Sequence, residues 1–321
     1  MLIGLIVIAL VTIILVCIKL SNIVLKPKVS SIENELNKNE NIKSIYEEFP
    51  KINKNIKMKY SNLKEEDIII ESTIILREGL DEKDLKYSQN KEKIVVLAHG
   101  FTSNRIGVVK YIDTFREKGY NICIYDHRNS GNTNGKYTTM GYIEKYDLQR
   151  VIKECRKMFG EKSQIGVFGE SMGASTALLL TEIEENINFI VADCGYSILS
   201  EELAYQLKQK YKLPKFPFIN ISSVITKIKG GFLYSQVKPI DTISKCGLNI
   251  PILFIHGECD KFTPTYMSEN MYEKRLQSVN KNVLTKLYIA PNSGHALSYY
   301  KNKKEYKEQV HKFLEEIDGS Y

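Results

Sequence analysis

The sequence predicts an α/β protein with a mostly parallel, doubly wound sheet, preceded by one N-terminal transmembrane helix. From residue 67 onward, short apolar runs alternate with stretches of helical periodicity, which is typical of βαβ units. These runs are apolar at nearly every position, as in strands that are covered on both faces. The first 25 residues, in contrast, are almost entirely apolar and show no such alternation.

The N-terminal segment has the length and composition of a membrane anchor. Residues 2–18 carry no charge, and the apolar run resumes after Lys19 and reaches Leu25. About 20 mostly apolar residues span a bilayer, and a lysine near one end can extend toward the headgroups. A cleaved signal peptide is disfavoured because no basic residue precedes the run and no A-x-A site follows it. A buried core helix is the remaining alternative. We therefore predict a transmembrane anchor over residues 1–25.

The segment that follows the anchor is polar. Lysines flank the apolar helix on its C-terminal side, at positions 19, 26 and 28. The positive-inside rule then predicts a single-pass protein of the cell membrane whose globular part faces the cytoplasm. Residues 26–64 are rich in Asn, Lys and Glu and are predicted to form a juxtamembrane spacer or a cap helix. The globular domain is predicted to cover residues 65–321.

Within the globular domain, the elements follow in regular order. Strands are predicted at 67–76, 93–100, 121–127, 164–169, 189–195, 251–257 and 285–291. Helices are predicted near 105–118, 142–160, 174–185, 265–278 and 302–317. A helical, lysine-rich insertion at about 197–240 interrupts the alternation and carries several aromatic residues. A lid over a pocket would fit there, and an ordinary helical excursion is the alternative.

Composition argues against several classes of partner. The net charge is +7, but the lysines are scattered among glutamates, whereas a nucleic-acid surface needs basic residues clustered on one element. We therefore expect no nucleic-acid partner. The six cysteines form no C-x-x-C pair, no zinc-type spacing and no disulfide framework. We expect neither a metal nor an organic cofactor, and the sequence does not predict an oligomeric state.

The segment Gly169-Glu170-Ser171-Met172-Gly173 joins a predicted strand to a predicted helix. This is the context of a G-x-S-x-G nucleophile elbow, in which the serine lies on a strained turn. The neighbouring residues must then be small. A tight structural turn is the alternative, so the assignment depends on whether a base and a carboxylate are available.

Both partners are predicted at the ends of strands. A serine hydroxyl becomes a good nucleophile only beside a base that a carboxylate orients. Of the five histidines, only His295 is both late in the chain and in a loop after a strand, and Asp260 follows the strand before it. Active sites of parallel sheets form at the carboxyl ends of strands, so we predict a triad of Ser171, Asp260 and His295. The N–H groups of Phe101 and Met172 are expected to form the oxyanion hole.

Each of these features alone has a plainer explanation. A histidine-glycine pair after a strand can be simple turn chemistry, and Asp260 could cap a helix. The four strand-end motifs together, in a workable order along the chain, favour a catalytic site.

The motifs HGFTSN, GESMG, GECDKFTP and SGH together resemble the α/β-hydrolase superfamily, from about residue 65 to the C-terminus. The chain is most similar to bacterial hydrolases grouped with serine aminopeptidase-like, monoacylglycerol-lipase-like and acyltransferase-related members. A further family segment reads DHRNSGNTNG from Asp126 to Gly135, in which Asn129 replaces a glycine and Thr133 a serine. Because Asn tolerates left-handed backbone conformations, the turn is expected to survive. Asp147 matches a recurrent family acid, which we interpret as structural.

The residues and the resemblance agree on a serine hydrolase. We expect a membrane-anchored enzyme that cleaves acyl or lipid-like carboxylic esters through an acyl-enzyme, with a small-molecule ester as substrate and membrane lipid around the anchor. A serine aminopeptidase or an acyltransferase on the same triad is the alternative; the peptidase would need an acidic group such as Glu170 or Glu258 near the pocket. A catalytically inert membrane-tethered scaffold is the non-enzyme alternative.

Overall fold

A computed structural model of the protein describes residues 2–37, 40–48, 51–59, 67–80 and 92–319. Its strands form one eight-stranded sheet in the order β1-β2-β4-β3-β5-β6-β7-β8. They are β1 (Lys51–Lys59), β2 (Asp67–Ile75), β3 (Lys93–Ala98), β4 (Asn121–Tyr125), β5 (Gln164–Glu170), β6 (Phe189–Asp193), β7 (Ile252–Gly257) and β8 (Thr285–Ala290). β1 and β2 pair antiparallel, β2 pairs antiparallel with β4, and the strands from β4 to β8 are parallel. The predicted mostly parallel sheet is confirmed.

The sheet begins earlier in the chain than the sequence predicts. β1 pairs with β2 in continuous register from Lys51 opposite Ile75 to Lys59 opposite Asp67. Lysine and asparagine interrupt the apolar alternation of this strand, so its composition alone assigns it to the polar spacer at 26–64. Ile56 is nevertheless buried against the core. The predicted domain boundary at residue 65 lies outside the described residues, and it separates β1 from the strand with which β1 pairs.

Twelve helices are described. They are α1 (Leu2–Leu25), α2 (Ile32–Asn37), α3 (Glu40–Glu48), α4 (Ile112–Arg116), α5 (Glu144–Phe159), α6 (Met172–Leu180), α7 (Leu199–Tyr211), α8 (Phe218–Gly230), α9 (Pro239–Thr242), α10 (Tyr266–Ser278), α11 (Ser298–Lys301) and α12 (Lys303–Asp318). The helix predicted near 105–118 divides into a 3-10 helix (Arg105–Tyr111) and α4. Gly107 and the two valines that follow it lower the α-helical propensity there.

Apolar side chains cover both faces of the sheet, as a doubly wound fold requires. One cluster joins the strands to α5, α6 and α10, for example through Val151, Leu178 and Met271. The opposite cluster joins them to α4 and α12, for example through Phe115 and Phe313. A third cluster connects α1, α7 and α8 with Met172. The helical insertion therefore lies over the carboxyl end of β5, where the predicted elbow is.

Helix α1 is long and apolar enough to cross a membrane. Its first half, residues 2–15, is largely exposed, whereas Cys17, Ser21, Val24 and Leu25 are buried. The two halves therefore differ in their surroundings: the C-terminal half packs against α8 as part of the globular core, and only the N-terminal half projects from it.

Candidate active site

The turn at Ser171 has the backbone of a strained elbow. Ser171 adopts φ 55° and ψ −115°, a conformation that is rare for a residue with a side chain, and its N–H donates to Asp193 O at 2.8 Å. A Cβ on Gly169 would lie 2.3 Å from the backbone of Gly173, and a Cβ on Gly173 would lie 2.1 Å from Ala98 O. Both glycines are therefore required, because α6 approaches β5 and β3 too closely for a larger residue.

The side chains of Ser171, His295 and Asp260 form one hydrogen-bonded chain. His295 Nδ1 lies 2.7 Å from Asp260 Oδ2, and His295 Nε2 lies 2.9 Å from Ser171 Oγ. Because a carboxylate can only accept, Nδ1 donates to Asp260, which leaves Nε2 free to accept the serine proton. The three predicted residues come from loops after β5, β7 and β8, and the fold brings them together at one edge of the sheet.

The carboxylate of Asp260 is held in its charged form. Burial alone would raise its pKa, but hydrogen bonds from His256 and His295 outweigh this effect and lower the pKa to about 2. Its other oxygen, Oδ1, accepts from the backbone N–H groups of Phe262 and Thr263 at 2.8 and 3.0 Å. Asp260 is therefore ionised at neutral pH and fixed in orientation.

His256 is a site residue that the sequence analysis did not identify. It is fully buried, and its Nε2 lies 2.8 Å from Thr263 O and 3.2 Å from Asp260 Oδ2. Because both of these atoms are acceptors, Nε2 carries a proton, and Nδ1 lies 2.7 Å from Ser268 Oγ. The available signal was its position at the end of β7, four residues before the triad carboxylate.

The amides of Phe101 and Met172 are both available at the elbow. Neither N–H donates a hydrogen bond to any residue within the described part of the chain. Met172 is the first residue of α6, and a Cβ on Gly100 would lie 3.4 Å from Ser171 Cβ, so the turn before Phe101 lies against the serine. His99 holds this turn: its Nδ1 lies 2.8 Å from Gly100 O. Unpaired N–H groups beside a helix N-terminus favour a developing negative charge.

The two acidic residues considered as amine ligands already have partners. Glu170 forms an ion pair with Lys110 at 2.6 Å and accepts from the hydroxyl of Tyr111 at 2.7 Å. Glu258 accepts from the backbone N–H of Asn292 at 2.9 Å. An incoming ammonium group would have to compete with these contacts.

One grouping resembles a set of metal ligands. Cys194, Asp260 and His295 each have a donor atom within 4.8 Å of the others. However, Asp260 and His295 direct these atoms at each other, so a metal would have to break the bond between them. Burial also raises the pKa of the Cys194 thiol well above its ordinary value, which disfavours the thiolate that metals bind. The hydrogen bonds of the triad explain this grouping.

The insertion predicted at about 197–240 is helical and touches the site. It contains α7, α8, a 3-10 helix (Tyr234–Gln236) and α9. Gln206 on α7 donates to Phe262 O, and the ring of Phe262 lies 4.8 Å from the ring of His295, centroid to centroid. The insertion is therefore connected to the triad through one aromatic residue.

The loop from Asp126 to Gly135 keeps its turn despite two replacements. Asn129 adopts φ 56°, the left-handed conformation expected of it, and Thr133 Oγ1 donates to Asp126 O at 3.0 Å. Arg128 donates twice to the buried Asp147, at 2.6 and 2.7 Å. This ion pair supports the structural interpretation of Asp147.

Two family profiles match the chain. The profile described as "Serine aminopeptidase, S33" matches residues 89–194, and "BAAT / Acyl-CoA thioester hydrolase C terminal" matches residues 156–300. The uncharacterized protein YqkD of Bacillus subtilis (strain 168) is 37% identical over 228 residues, covering 70% of this chain and 72% of YqkD.

Solved structures share the fold. The Pyrococcus furiosus esterase Pf2001 aligns with a TM-score of 0.63 and 23% identity, over 85% of this chain and 94% of the esterase. The acylaminoacyl peptidase of Pyrococcus horikoshii aligns with a TM-score of 0.58 and 16% identity, over 85% of this chain and 42% of the peptidase. With the 37% identity to YqkD and the two family profiles, the chain belongs to the α/β-hydrolase superfamily.

Proposed function

We propose that this protein is a membrane-anchored serine hydrolase that cleaves acyl or lipid-like carboxylic esters through an acyl-enzyme. The observation that carries this proposal is the hydrogen-bonded chain from Ser171 through His295 to Asp260. Superfamily membership supports a hydrolase of the serine type, and the residues of this site supply a mechanism.

Acylation would use both nitrogen atoms of the His295 imidazole. As Ser171 Oγ attacks the ester carbonyl, His295 Nε2 takes the hydroxyl proton, and the ionised Asp260 stabilises the imidazolium. His295 then returns this proton to the alcohol that leaves. Water enters, gives a proton to Nε2 and attacks the acyl carbonyl. The bond between Ser171 Oγ and the acyl group then breaks, the acid leaves, and Nε2 returns the proton to Oγ. Every proton transfer in this mechanism uses side chains of this chain and water.

The N–H groups of Phe101 and Met172 are the proposed oxyanion donors. Their availability and their position beside Ser171 support this role. Loss of one such donor typically costs about 3–4 kcal/mol of transition-state stabilisation. The helix dipole of α6 would add to this stabilisation because Met172 is its first residue.

An ester substrate fits the site better than a peptide with a free amine. Both candidate carboxylates, Glu170 and Glu258, already have partners, and the cluster above the elbow, around Met172, is apolar. One structural neighbour is an esterase and another an acylaminoacyl peptidase, so both activities occur on this fold. An acyltransferase would need the same triad with water excluded.

Helix α1 and the helical insertion are each proposed to have a separate role. We propose that α1 anchors the chain in the cell membrane, with the globular domain on the cytoplasmic side because Lys19, Lys26 and Lys28 follow the apolar run. The insertion at about 197–240 is proposed to act as a lid, which its contact with Phe262 supports.

The test is ester turnover by the full chain in detergent. Wild type should hydrolyse p-nitrophenyl esters, Ser171→Ala should lose this activity, and Ser278→Ala, at a half-buried position at the end of α10, should retain it. A panel of acyl chain lengths and an aminoacyl amide then separates the activities. Preference for long acyl chains supports the lipid-like substrate, and faster cleavage of the amide would favour the peptidase. Undiminished turnover by Ser171→Ala would refute the mechanism, and inactivity of wild type on every substrate would favour the scaffold.

A further inference from the structure

Helices α1 and α8 lie side by side and run in the same direction. At one end the thiol of Cys17 contacts Phe218 O at 3.6 Å. Further along, Ser21 Oγ lies 2.9 Å from Thr226 Oγ1. Leu25 packs against Gly230 so closely that a Cβ on Gly230 would lie 2.4 Å from a methyl carbon of Leu25. The first turn of α8 is therefore level with the point at which α1 leaves the globular domain.

The exposed part of α1 is too short to cross a bilayer alone. Residues 2–15, at 1.5 Å per residue, span roughly 21 Å, whereas the hydrocarbon core is about 30 Å thick. The missing ~9 Å corresponds to about six more residues, which reach Ser21. Tilting α1 would only shorten its vertical reach. A membrane span that begins at Leu2 therefore draws the first turns of α8 down to the membrane.

The surface at that level has the composition of a membrane interface. Residues 211–217, which comprise the last residue of α7 and its connection to α8, are here called the tip. Tyr211 and Phe216 of the tip are exposed by 53% and 75%. Val224 on α8 is also more than half exposed. Aromatic and aliphatic side chains of this kind are costly in water and favourable at the boundary between headgroups and acyl chains.

Lysines accompany the apolar side chains of the tip. A groove of about 600 Å³ beside it is lined by Lys208, Lys212 and Lys215, together with Tyr205, Tyr266 and one acid, Glu201. Three ammonium groups against one carboxylate give this groove a net positive charge. Anionic phospholipid headgroups are the complementary partner at this depth.

We propose that the tip and the first turns of α8 form a second membrane contact, with Phe216 among the acyl chains and the lysines of the groove on anionic headgroups. This inference rests on the proposed anchoring of α1. It also gives the lid a route to substrate, because α7 connects the tip to Phe262 beside the triad. Ester lipids would then reach the site from the bilayer.

The test uses tryptophan fluorescence, since the natural chain contains no tryptophan. Four single-tryptophan variants of the full chain, L10W, F216W, I228W and L276W, are reconstituted into phosphatidylcholine vesicles with phosphatidylglycerol and brominated acyl chains. All four positions are exposed. Leu10 reports the anchor, Phe216 the tip, Ile228 the far end of α8, and Leu276 on α10 serves as the control.

The expected order of quenching is L10W, then F216W, then I228W, with L276W unchanged. Quenched L10W with F216W as bright as L276W would overturn the tip contact and leave the anchor intact. If neither L10W nor F216W is quenched, the anchor itself fails. Melting curves in detergent matching wild type show that each variant is folded.

The proposed contact of the groove lysines with anionic headgroups is tested separately. Quenching of F216W should be stronger with phosphatidylglycerol than in pure phosphatidylcholine, and K208Q/K212Q/K215Q should remove this difference. The matched variant K301Q/K303Q/K304Q, which changes exposed lysines on α11 and α12, should keep it. Equal quenching of F216W in both lipids would overturn the role of the lysines.

Discussion

The carboxyl group of Glu202 on α7 is buried, and it makes the stability of the protein depend on pH. Its side chain is 3% exposed; Oε1 accepts from Gln206 at 3.3 Å, and Oε2 has no hydrogen-bond partner in the described part of the chain. Burial, reinforced by the charge of Asp260, raises its pKa from 4.5 to about 8. The folded protein therefore keeps this proton at neutral pH, whereas the unfolded chain releases it.

The sign of the effect follows from this difference in bound protons. Between pH 4.5 and 8 the folded state binds more protons than the unfolded state, so stability falls as pH rises. At 1.36 kcal/mol per unit, this group costs about 3 kcal/mol of unfolding free energy between pH 5 and pH 7.5. Glu202→Gln has nearly the same shape and does not titrate. The difference in unfolding free energy between Glu202→Gln and wild type should therefore grow by about 3 kcal/mol, in favour of the variant, from pH 5 to pH 7.5.

Urea unfolding in detergent micelles, followed by circular dichroism at pH 5 and pH 7.5, measures this gain. The matched control is Glu201→Gln, which changes the same charge at the exposed neighbouring position and should follow wild type. If Glu202→Gln and Glu201→Gln show the same pH dependence, the buried carboxyl group of Glu202 does not set the pH dependence of stability.

Three further substitutions test the close packing at the elbow, the support of the triad carboxylate and the contact between α1 and α8. The Cβ of Gly173→Ala would lie 2.1 Å from a backbone oxygen of β3, so this substitution should lower the unfolding free energy by about 1–3 kcal/mol or more. The control Gly4→Ala has open space around it and should not lower the unfolding free energy. Equal melting temperatures of the two variants would contradict this. His256→Phe removes a hydrogen bond to the triad carboxylate and should lower kcat about tenfold with little change in KM; an unchanged kcat would remove its positioning role. Thr226→Val removes the buried hydrogen bonds that Thr226 makes with Ser21 of α1 and with Tyr234, and it should lower the unfolding free energy by about 1–3 kcal/mol. Thr12→Val, on the exposed half of α1, should lower it less, as measured by thermal melting in detergent. Equal losses in the two variants would argue against this packing.

Much of the fold could be predicted because its signals are local. The strands from β3 to β7 are mostly apolar and almost entirely buried, since both faces of the sheet are covered there, and the edge strand β8 ends in the apolar run 287–290. Ser171, Asp260 and His295 each follow such a run, and parallel strands bring their carboxyl ends to one edge. Local sequence therefore sufficed to select three residues whose side chains form one hydrogen-bonded chain.

The features that the sequence did not predict depend on contacts distant in the chain. β1 is a strand because β2 lies beside it, despite its lysines and asparagines. His256 looks like a turn residue until α10 brings Ser268 to its ring and Asp260 folds back over it. The contact of α1 with α8 joins Ser21 to Thr226, and no periodicity in either helix indicates that they meet.

Labelling with a fluorophosphonate, followed by peptide mass spectrometry, measures whether Ser171 is an activated nucleophile. These reagents react with a serine only when a neighbouring base activates its hydroxyl. We expect a single phosphonylated residue, Ser171, in the wild-type chain, and a much slower reaction at the same position in His295→Ala. A wild-type chain without the adduct, or with it on another residue, would contradict the claim that Ser171 is an activated nucleophile.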